Sequence, residues 1–206
     1  MIDAIAFDWG GIFTEGTFDS QAHVDLAGLY SLEPRVIEPD YLELMKVFEE
    51  GAYDLPAFKG ALEARLNAGE VSLDAFREAF LGAVNERAVM YDVVQAIPDR
   101  FVVGMLSNNV PELCDRVRTD PRLDRMDGRF VFSNEIKVRK PDPEAYAHLE
   151  DALAVPAANA VFVDDAEHNI EAAAEFGFKT IHLTDMRAFY RQWRELLPDV
   201  PLPGQA

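Results

Sequence analysis

IDAIAFDWGG, residues 2–11, contains a short apolar run, Ile5–Phe7, that ends at an acid, Asp8, and two glycines. An apolar run of this length between turn residues is typical of a strand buried in a parallel sheet. Open α/β sheets bind ligands at the carboxyl ends of such strands, so Asp8 would face a crevice. Gly10 and Gly11 would let the backbone turn and approach a ligand. Because Asp and Gly are also ordinary turn residues, this stretch alone does not establish a site.

Four more short apolar runs follow along the chain. They lie at residues 101–106, 130–132, 160–163 and 179–183, and helical patterns separate most of them. Strands that alternate with helices predict βαβ units and a mostly parallel sheet. The sequence therefore predicts an α/β fold with a parallel sheet at its core.

A long helical stretch separates the first two predicted strands. From about residue 21 to 86, apolar residues recur at intervals of three and four, and no strand pattern occurs. Prolines and glycines, among them Pro34 and Pro39, are predicted to divide this stretch into short helices. We interpret residues 14–90 as an inserted helical module and residues 1–13 and 91–206 as the core.

Composition limits the classes of partner. The formal net charge of −18 would repel nucleic acid and anionic membranes. The single cysteine, Cys114, excludes an internal disulfide and is typical of a reducing compartment. The first residues lack the basic n-region and the long apolar core that a signal peptide is expected to have, and no apolar run reaches membrane-spanning length. We therefore expect a cytoplasmic protein with neither nucleic acid nor membrane as a partner; the sequence does not predict an oligomeric state.

Polar residues follow three of the predicted strands. Asp8 follows the first, Ser107 and Asn108 the second, and Asp164 and Asp165 the fourth. Single residues of this kind have ordinary interpretations, since a serine or an aspartate at such a position can cap a helix. The carboxyl ends of parallel strands meet at one edge of a sheet, so we expect these side chains to lie together.

A constrained lysine lies between the third and fourth strands. Lys140 is part of VRKPDP, residues 138–143, where two prolines restrict the backbone. Most lysines are solvated surface residues, but an ammonium at the predicted site would offset the clustered carboxylates. Asn109 and Arg139 are candidate neighbours of the same site.

These positions resemble the four sequence motifs of the haloacid dehalogenase superfamily. FDWGG is similar to the first motif, MLSN to the second, the lysine of RKPDPEAY to the third and FVDDAEHNIEAA to the fourth. Their order and spacing also match, and the resemblance covers nearly the whole chain. It implies a Rossmann-like core with strand order 5-4-1-2-3 and a helical cap of the family's C1 type.

The resemblance also implies a reaction. Asp8 would be the nucleophile and would form an aspartyl intermediate that water hydrolyses. Ser107 and Lys140 would be the other catalytic residues, binding the transferring oxyanion, and Asn108 would join them in binding the substrate.

A magnesium site is the second implication. The ligands of Mg²⁺ would be Asp8, the backbone carbonyl of Gly10, and one or both of Asp164 and Asp165, with Asn169 supporting the acidic loop. Carboxylates this close together are costly unless a cation neutralises them, and Mg²⁺ prefers oxygen ligands.

Gly10 departs from the family pattern. Most phosphatases of the family carry a second aspartate here, which acts as a general acid and base and contributes about 10²–10⁴-fold in rate. Glycine cannot replace it; Glu15 or a water could. Three functions therefore stay open: a phosphatase acting on a small phosphorylated metabolite such as a sugar phosphate, a weakly active or non-catalytic homologue, and a 2-haloacid dehalogenase. The dehalogenases use no metal and typically lack the acidic fourth motif, so Asp164 and Asp165 favour the phosphatase.

Substrate choice in the family depends on the cap. Trp9, Phe13 and the helix near residues 49–53 are candidates for lining the cleft.

Overall fold

A five-stranded parallel sheet lies at the centre of the computed structural model, which describes residues 1–16, 18–82 and 84–203. The strands are β1 Ala4–Phe7, β2 Val102–Ser107, β3 Phe130–Phe132, β4 Ala160–Asp164 and β5 Lys179–His182. Their order is β3-β2-β1-β4-β5, and every neighbouring pair is parallel. The predicted fold class and strand order are confirmed, and each predicted strand agrees with the observed one to within about one residue.

The central position of β1 explains its apolar sequence. Helices cover both faces of the sheet, and all four residues of β1 are completely buried. Side chains alternate between the faces of a strand: Ile5 and Phe7 join the larger hydrophobic core, and Ala4 and Ala6 join the smaller core on the other face. Because β1 pairs with both β2 and β4, Asp8 emerges between the ends of these two strands.

Between β1 and β2, the described residues form five helices. The first four lie within the predicted inserted module, and the fifth leads into β2. These four are α1 Phe18–Leu29, α2 Pro34–Glu49, α3 Leu55–Leu66 and α4 Leu73–Leu81. Aromatic rings form much of the core between them, with ring centroids 4.9 to 6.1 Å apart among Phe48, Phe58, Phe76 and Phe80. An antiparallel bridge between Thr14 and Glu86 joins the two chain segments that lead into and out of these helices. We propose that the four helices act as a cap; its bounds at residues 14 and 90 stay a prediction.

One predicted helix break is wrong. Pro39 lies inside α2, although Pro34 begins that helix as expected. A proline inside a helix removes a hydrogen bond and crowds the preceding turn, which costs about 3 kcal/mol. The helix continues because Tyr41 and Phe48, both completely buried, contribute about 1.5–3 kcal/mol each when removed from water.

The remaining helices complete the core around the sheet. They are α5 Ala88–Ala96, α6 Pro111–Arg118, α7 Ser133–Ile136, α8 Pro143–Leu153, α9 Glu167–Phe176 and α10 Met186–Leu196, with short 3-10 helices at Pro121–Met126 and Ala157–Asn159. Within the described ranges, no helix combines the length and the apolar character that a bilayer span requires.

Candidate active site

Three carboxylates meet at the carboxyl end of the sheet. Asp8 directly follows β1, Asp164 ends β4, and Asp165 is the next residue. Each offers an oxygen within 4.8 Å of the others. Asp164 is completely buried and Asp8 is 9% exposed. The cause is the pairing of β1 with β4, which places Phe7 opposite Val163 and so brings both acidic strand ends to the same place.

The buried Lys140 side chain contacts two of these carboxylates. Its Nζ is 3.0 Å from Asp8 Oδ1 and 2.6 Å from Asp164 Oδ2, and the residue is 1% exposed. The Asn108 side chain anchors the lysine loop to the end of β2: its Nδ2 donates to the Lys140 carbonyl at 3.0 Å, and its Oδ1 accepts from the Lys140 N–H at 2.8 Å. The bond between Lys140 and Pro141 is cis. Asn108 therefore positions the lysine, and its contact with substrate stays a prediction.

The acidic loop after β4 is held by its own hydrogen bonds. Asp164 Oδ1 accepts from the Ala166 N–H at 2.8 Å, and Asn169 Nδ2 donates to both oxygens of Asp164 at 3.2 Å. These contacts fix the orientation of the buried carboxylate, which is the supporting role expected for Asn169.

The electrostatics of the cluster favour a cation. The pKa of Asp8 is raised to about 7, chiefly by burial; Lys140 lowers it, and Asp164 and Asp165 raise it further. Burial alone would lower the pKa of Lys140, but Asp164 and Asp8 hold it above its usual value. Burial and Asp164 also raise the pKa of Asp165. Three carboxylates facing one ammonium leave excess negative charge, so these oxygen donors fit a hard divalent cation that would keep Asp8 ionised.

A cavity of about 170 Å³ opens next to the carboxylates. Its lining includes Asp8, Gly10, Asn108 and Asp165 from the sheet side, and Phe18, Asp19, Met45 and Glu49 from the inserted helices. Of the predicted neighbours, Trp9, Asn109 and Arg139 also line it. Phe13 does not: its ring packs in the core, with its centroid 5.8 Å from that of Phe7 and 5.0 Å from that of Tyr91.

Within the described chain, four of the predicted site residues are not part of the cavity lining: Ser107, Lys140, Asp164 and Glu15. Lys140 and Asp164 are buried beside Asp8. Ser107 ends β2 at the expected edge but is 1% exposed, and its hydroxyl lies 3.5 Å from the Asn108 carbonyl. The role of Ser107 in binding an oxyanion stays a prediction. Glu15 is exposed, so the structure gives no support to it as a substitute for the missing acid.

The sequence interpretation missed Asp19. Its Oδ1 accepts from the Tyr41 hydroxyl at 2.7 Å, and burial raises its pKa. Nearby, Glu49 Oε2 accepts from Arg139 Nε at 2.9 Å and Nη2 at 2.6 Å. An acid in the first turn of a helix usually only interacts with the helix dipole, so no local signal distinguished Asp19. The packing of α1 against α2 and α4 places it at the cavity.

Gly11, rather than Gly10, is the position that requires glycine. Its φ is +71°, and a Cβ there would overlap the Asp165 carboxylate, whereas a Cβ at Gly10 would have no atom within 4 Å. We expect Gly11→Ala to lower the free energy of unfolding by about 1–3 kcal/mol. The matched Gly10→Ala variant should stay within about 1 kcal/mol of the wild type. Urea unfolding measures both, and equal stability of the two variants would contradict the role of Gly11.

Comparison with known proteins shows which family this chain belongs to. The family model for haloacid dehalogenase-like hydrolases matches residues 2–177. A D-ribitol-5-phosphate phosphatase from Bacteroides thetaiotaomicron is 27% identical over 191 residues, which cover 87% of this chain and 91% of that protein.

Solved structures of the family share the fold. One is a haloacid dehalogenase (HAD) family enzyme from Bacteroides thetaiotaomicron in complex with magnesium and inorganic phosphate. It superposes with a TM-score of 0.74 at 19% sequence identity, over 88% of this chain and 94% of that one. An L-2-haloacid dehalogenase from Xanthobacter autotrophicus, with chloropropionic acid covalently bound, gives a TM-score of 0.67 at 18% identity, over 98% and 85%. Because the family model spans most of the sequence and the site has the expected strand ends, this protein belongs to the haloacid dehalogenase-like hydrolases.

Proposed function

We propose that the protein is a Mg²⁺-dependent phosphatase that hydrolyses a small phosphorylated metabolite through an aspartyl-phosphate intermediate. The observation that carries this proposal is the cluster of three carboxylates with Lys140 beside a cavity of about 170 Å³. A relative named as a sugar-alcohol phosphate phosphatase and a neighbour crystallised with magnesium and phosphate also support phosphoryl chemistry.

The hydrogen bonds of Asp8 support its role as the nucleophile. Oδ1 accepts from the Trp9 N–H at 2.7 Å and from Lys140 Nζ at 3.0 Å. These contacts orient the carboxylate and leave Oδ2 to attack phosphorus. The new bond joins Oδ2 to phosphorus as the bond to the leaving oxygen breaks, and that oxygen takes up a proton from water, because Gly10 supplies no acid. Water then hydrolyses the acyl phosphate, which regenerates Asp8 and releases inorganic phosphate.

The proposed metal ligands are Asp8, Asp164, Asp165 and the Gly10 carbonyl. Bound there, Mg²⁺ would neutralise charge on the phosphoryl group. Lys140 supplies a fixed positive charge at the same place, and we propose that Lys140, Ser107 and Asn108 bind the transferring group.

Two alternatives to the phosphatase stay open. The dehalogenase neighbour suggests a 2-haloacid dehalogenase, and Gly10 suggests a weakly active or non-catalytic homologue. The neighbour carries chloropropionic acid bonded to the protein, so the fold also supports attack on carbon. A reaction without a metal would leave the Asp8, Asp164 and Asp165 carboxylates facing a single ammonium, which is electrostatically costly. This cluster favours the phosphatase over the dehalogenase. Gly10 keeps the other alternative open, the weakly active or non-catalytic homologue.

Metal removal separates these functions. We expect inorganic phosphate to be released from a panel of phosphoesters with Mg²⁺, and release to fall at least about 100-fold in EDTA, because the carboxylates would then carry unbalanced charge. Phosphate and halide assays on the same samples measure both reactions. Halide release from 2-chloropropionate that persists in EDTA would overturn the proposal in favour of the dehalogenase.

A further inference from the structure

We propose that Asp19, Glu49, Arg139 and Asn109 form a subsite for the hydroxyl groups of a phosphorylated polyol. The inference rests on the proposed phosphatase function and deepens it, since it assigns the part of the cavity that binds the leaving group. These four residues are called the hydroxyl subsite below.

Two carboxylates of the hydroxyl subsite present acceptors to the cavity. Asp19 uses Oδ1 to accept from Tyr41, and Glu49 uses Oε2 to accept both bonds from Arg139. Within the described residues, no hydrogen bond reaches Asp19 Oδ2 or Glu49 Oε1. Both residues line the same cavity as Asp8, so each offers an oxygen to a ligand.

Asn109 presents a donor that has no partner. The residue is 4% exposed; its backbone N–H donates to Ser133 Oγ at 3.0 Å, and its Oδ1 accepts from the Val110 N–H at 2.9 Å. Its Nδ2 is buried without a hydrogen bond, although the residue lines the cavity. An unpaired buried donor costs about 1–3 kcal/mol, and a ligand acceptor in the cavity would remove that cost.

The mixture of donors and acceptors points to hydroxyl groups. A hydroxyl both donates and accepts, so a polyol can donate to Asp19 and Glu49 and accept from Asn109. An ammonium group only donates and would leave Asn109 Nδ2 unpaired. A second anionic group would face two carboxylates and a single guanidinium, that of Arg139, which already donates to Glu49. An alkyl chain would bury all these polar atoms without partners. The polyol is the class that satisfies the whole subsite.

A binding measurement separates this subsite from catalysis. We expect the Asp8→Asn variant with Mg²⁺, titrated calorimetrically, to bind a pentitol 5-phosphate at least about tenfold more tightly than pentyl phosphate, because a site built for hydroxyls rejects analogues that lack them. Adding Glu49→Gln or Asp19→Asn should remove most of this preference. The control is Glu38→Gln on the exposed face of α2, which should keep it. Equal affinity for the two esters, or equal effects of Glu49→Gln and Glu38→Gln, would overturn the subsite.

Hydrolysis distinguishes failure of the subsite from failure of the proposed function. In the otherwise wild-type enzyme, Glu49→Gln should raise KM for the pentitol phosphate at least about tenfold and raise KM for p-nitrophenyl phosphate less, since that ester has no hydroxyls to bind. The exposed Glu38→Gln control should leave kcat/KM for both esters within about threefold of the wild type. A phosphatase that hydrolyses both esters without a polyol preference contradicts only the subsite. A polyol preference in binding, with no ester hydrolysed, supports the subsite and contradicts the phosphatase.

Discussion

Asp8→Asn is expected to lower kcat for phosphate release by about 10⁴-fold or more, the size of effect seen when a catalytic nucleophile is removed. A carboxamide has nearly the shape of the carboxylate, and its oxygen can still accept from the Trp9 N–H, which lies 2.7 Å from Asp8 Oδ1. It is not a nucleophile at neutral pH, so no acyl phosphate can form. Acid quenching with a phosphate-labelled substrate should transfer label to the wild type and not to the variant.

Asp3→Asn is the matched control for this prediction. Asp3 precedes β1 at the opposite end of the sheet, where its Oδ2 accepts from Asn159 Nδ2 at 3.1 Å. We expect this variant to keep kcat within about threefold of the wild type, because surface substitutions away from a site have small effects. Unchanged turnover in Asp8→Asn would show that the site does not act through this carboxylate.

Gly10→Asp is expected to raise kcat for alkyl phosphates by about 10²-fold, the lower end of what a positioned acid and base contributes. The backbone can accept the substitution, since a Cβ at this position would have no atom within 4 Å and the residue is outside the left-handed region. The new carboxyl group would protonate a poor leaving oxygen and later activate water. Turnover of p-nitrophenyl phosphate should change much less, since its leaving group needs no proton.

Gly10→Asn separates acid catalysis from a change of shape. The asparagine has almost the same size as the aspartate but cannot donate and recover a proton, so it should give no gain on alkyl phosphates. Steady-state kinetics on paired alkyl and aryl esters measure the difference. A Gly10→Asp variant no faster than Gly10→Asn would mean that the wild type already supplies this proton from another group.

Much of the sheet side of the site could be predicted from local sequence. Asp8, Asp164 and Lys140 were predicted to lie together, and the structure places Lys140 within 3.0 Å of both carboxylates. The prediction works because a buried parallel strand is apolar along its length, and its first polar residue marks the edge where ligands bind. Ser107 shows the limit of that rule, because it ends β2 as expected and yet, within the described residues, its hydroxyl hydrogen-bonds only to the Asn108 carbonyl, at 3.5 Å, and to neither the carboxylates nor Lys140.

The sequence by itself determined the strands, their parallel arrangement and the acidic strand ends, since short apolar runs and turn residues are local signals. Only the tertiary structure decided that Gly11 rather than Gly10 needs its glycine, that Asp19 joins Glu49 at the cavity, and that Asn109 keeps an unpaired donor there. Gly11 needs its glycine because the Asp165 carboxylate lies beside it. The positions of Asp19 and Glu49 depend on how α1 and α2 lie beside the carboxyl end of the sheet. That placement results from many weak contacts between residues far apart in sequence, and none of these contacts leaves a periodic pattern in the chain.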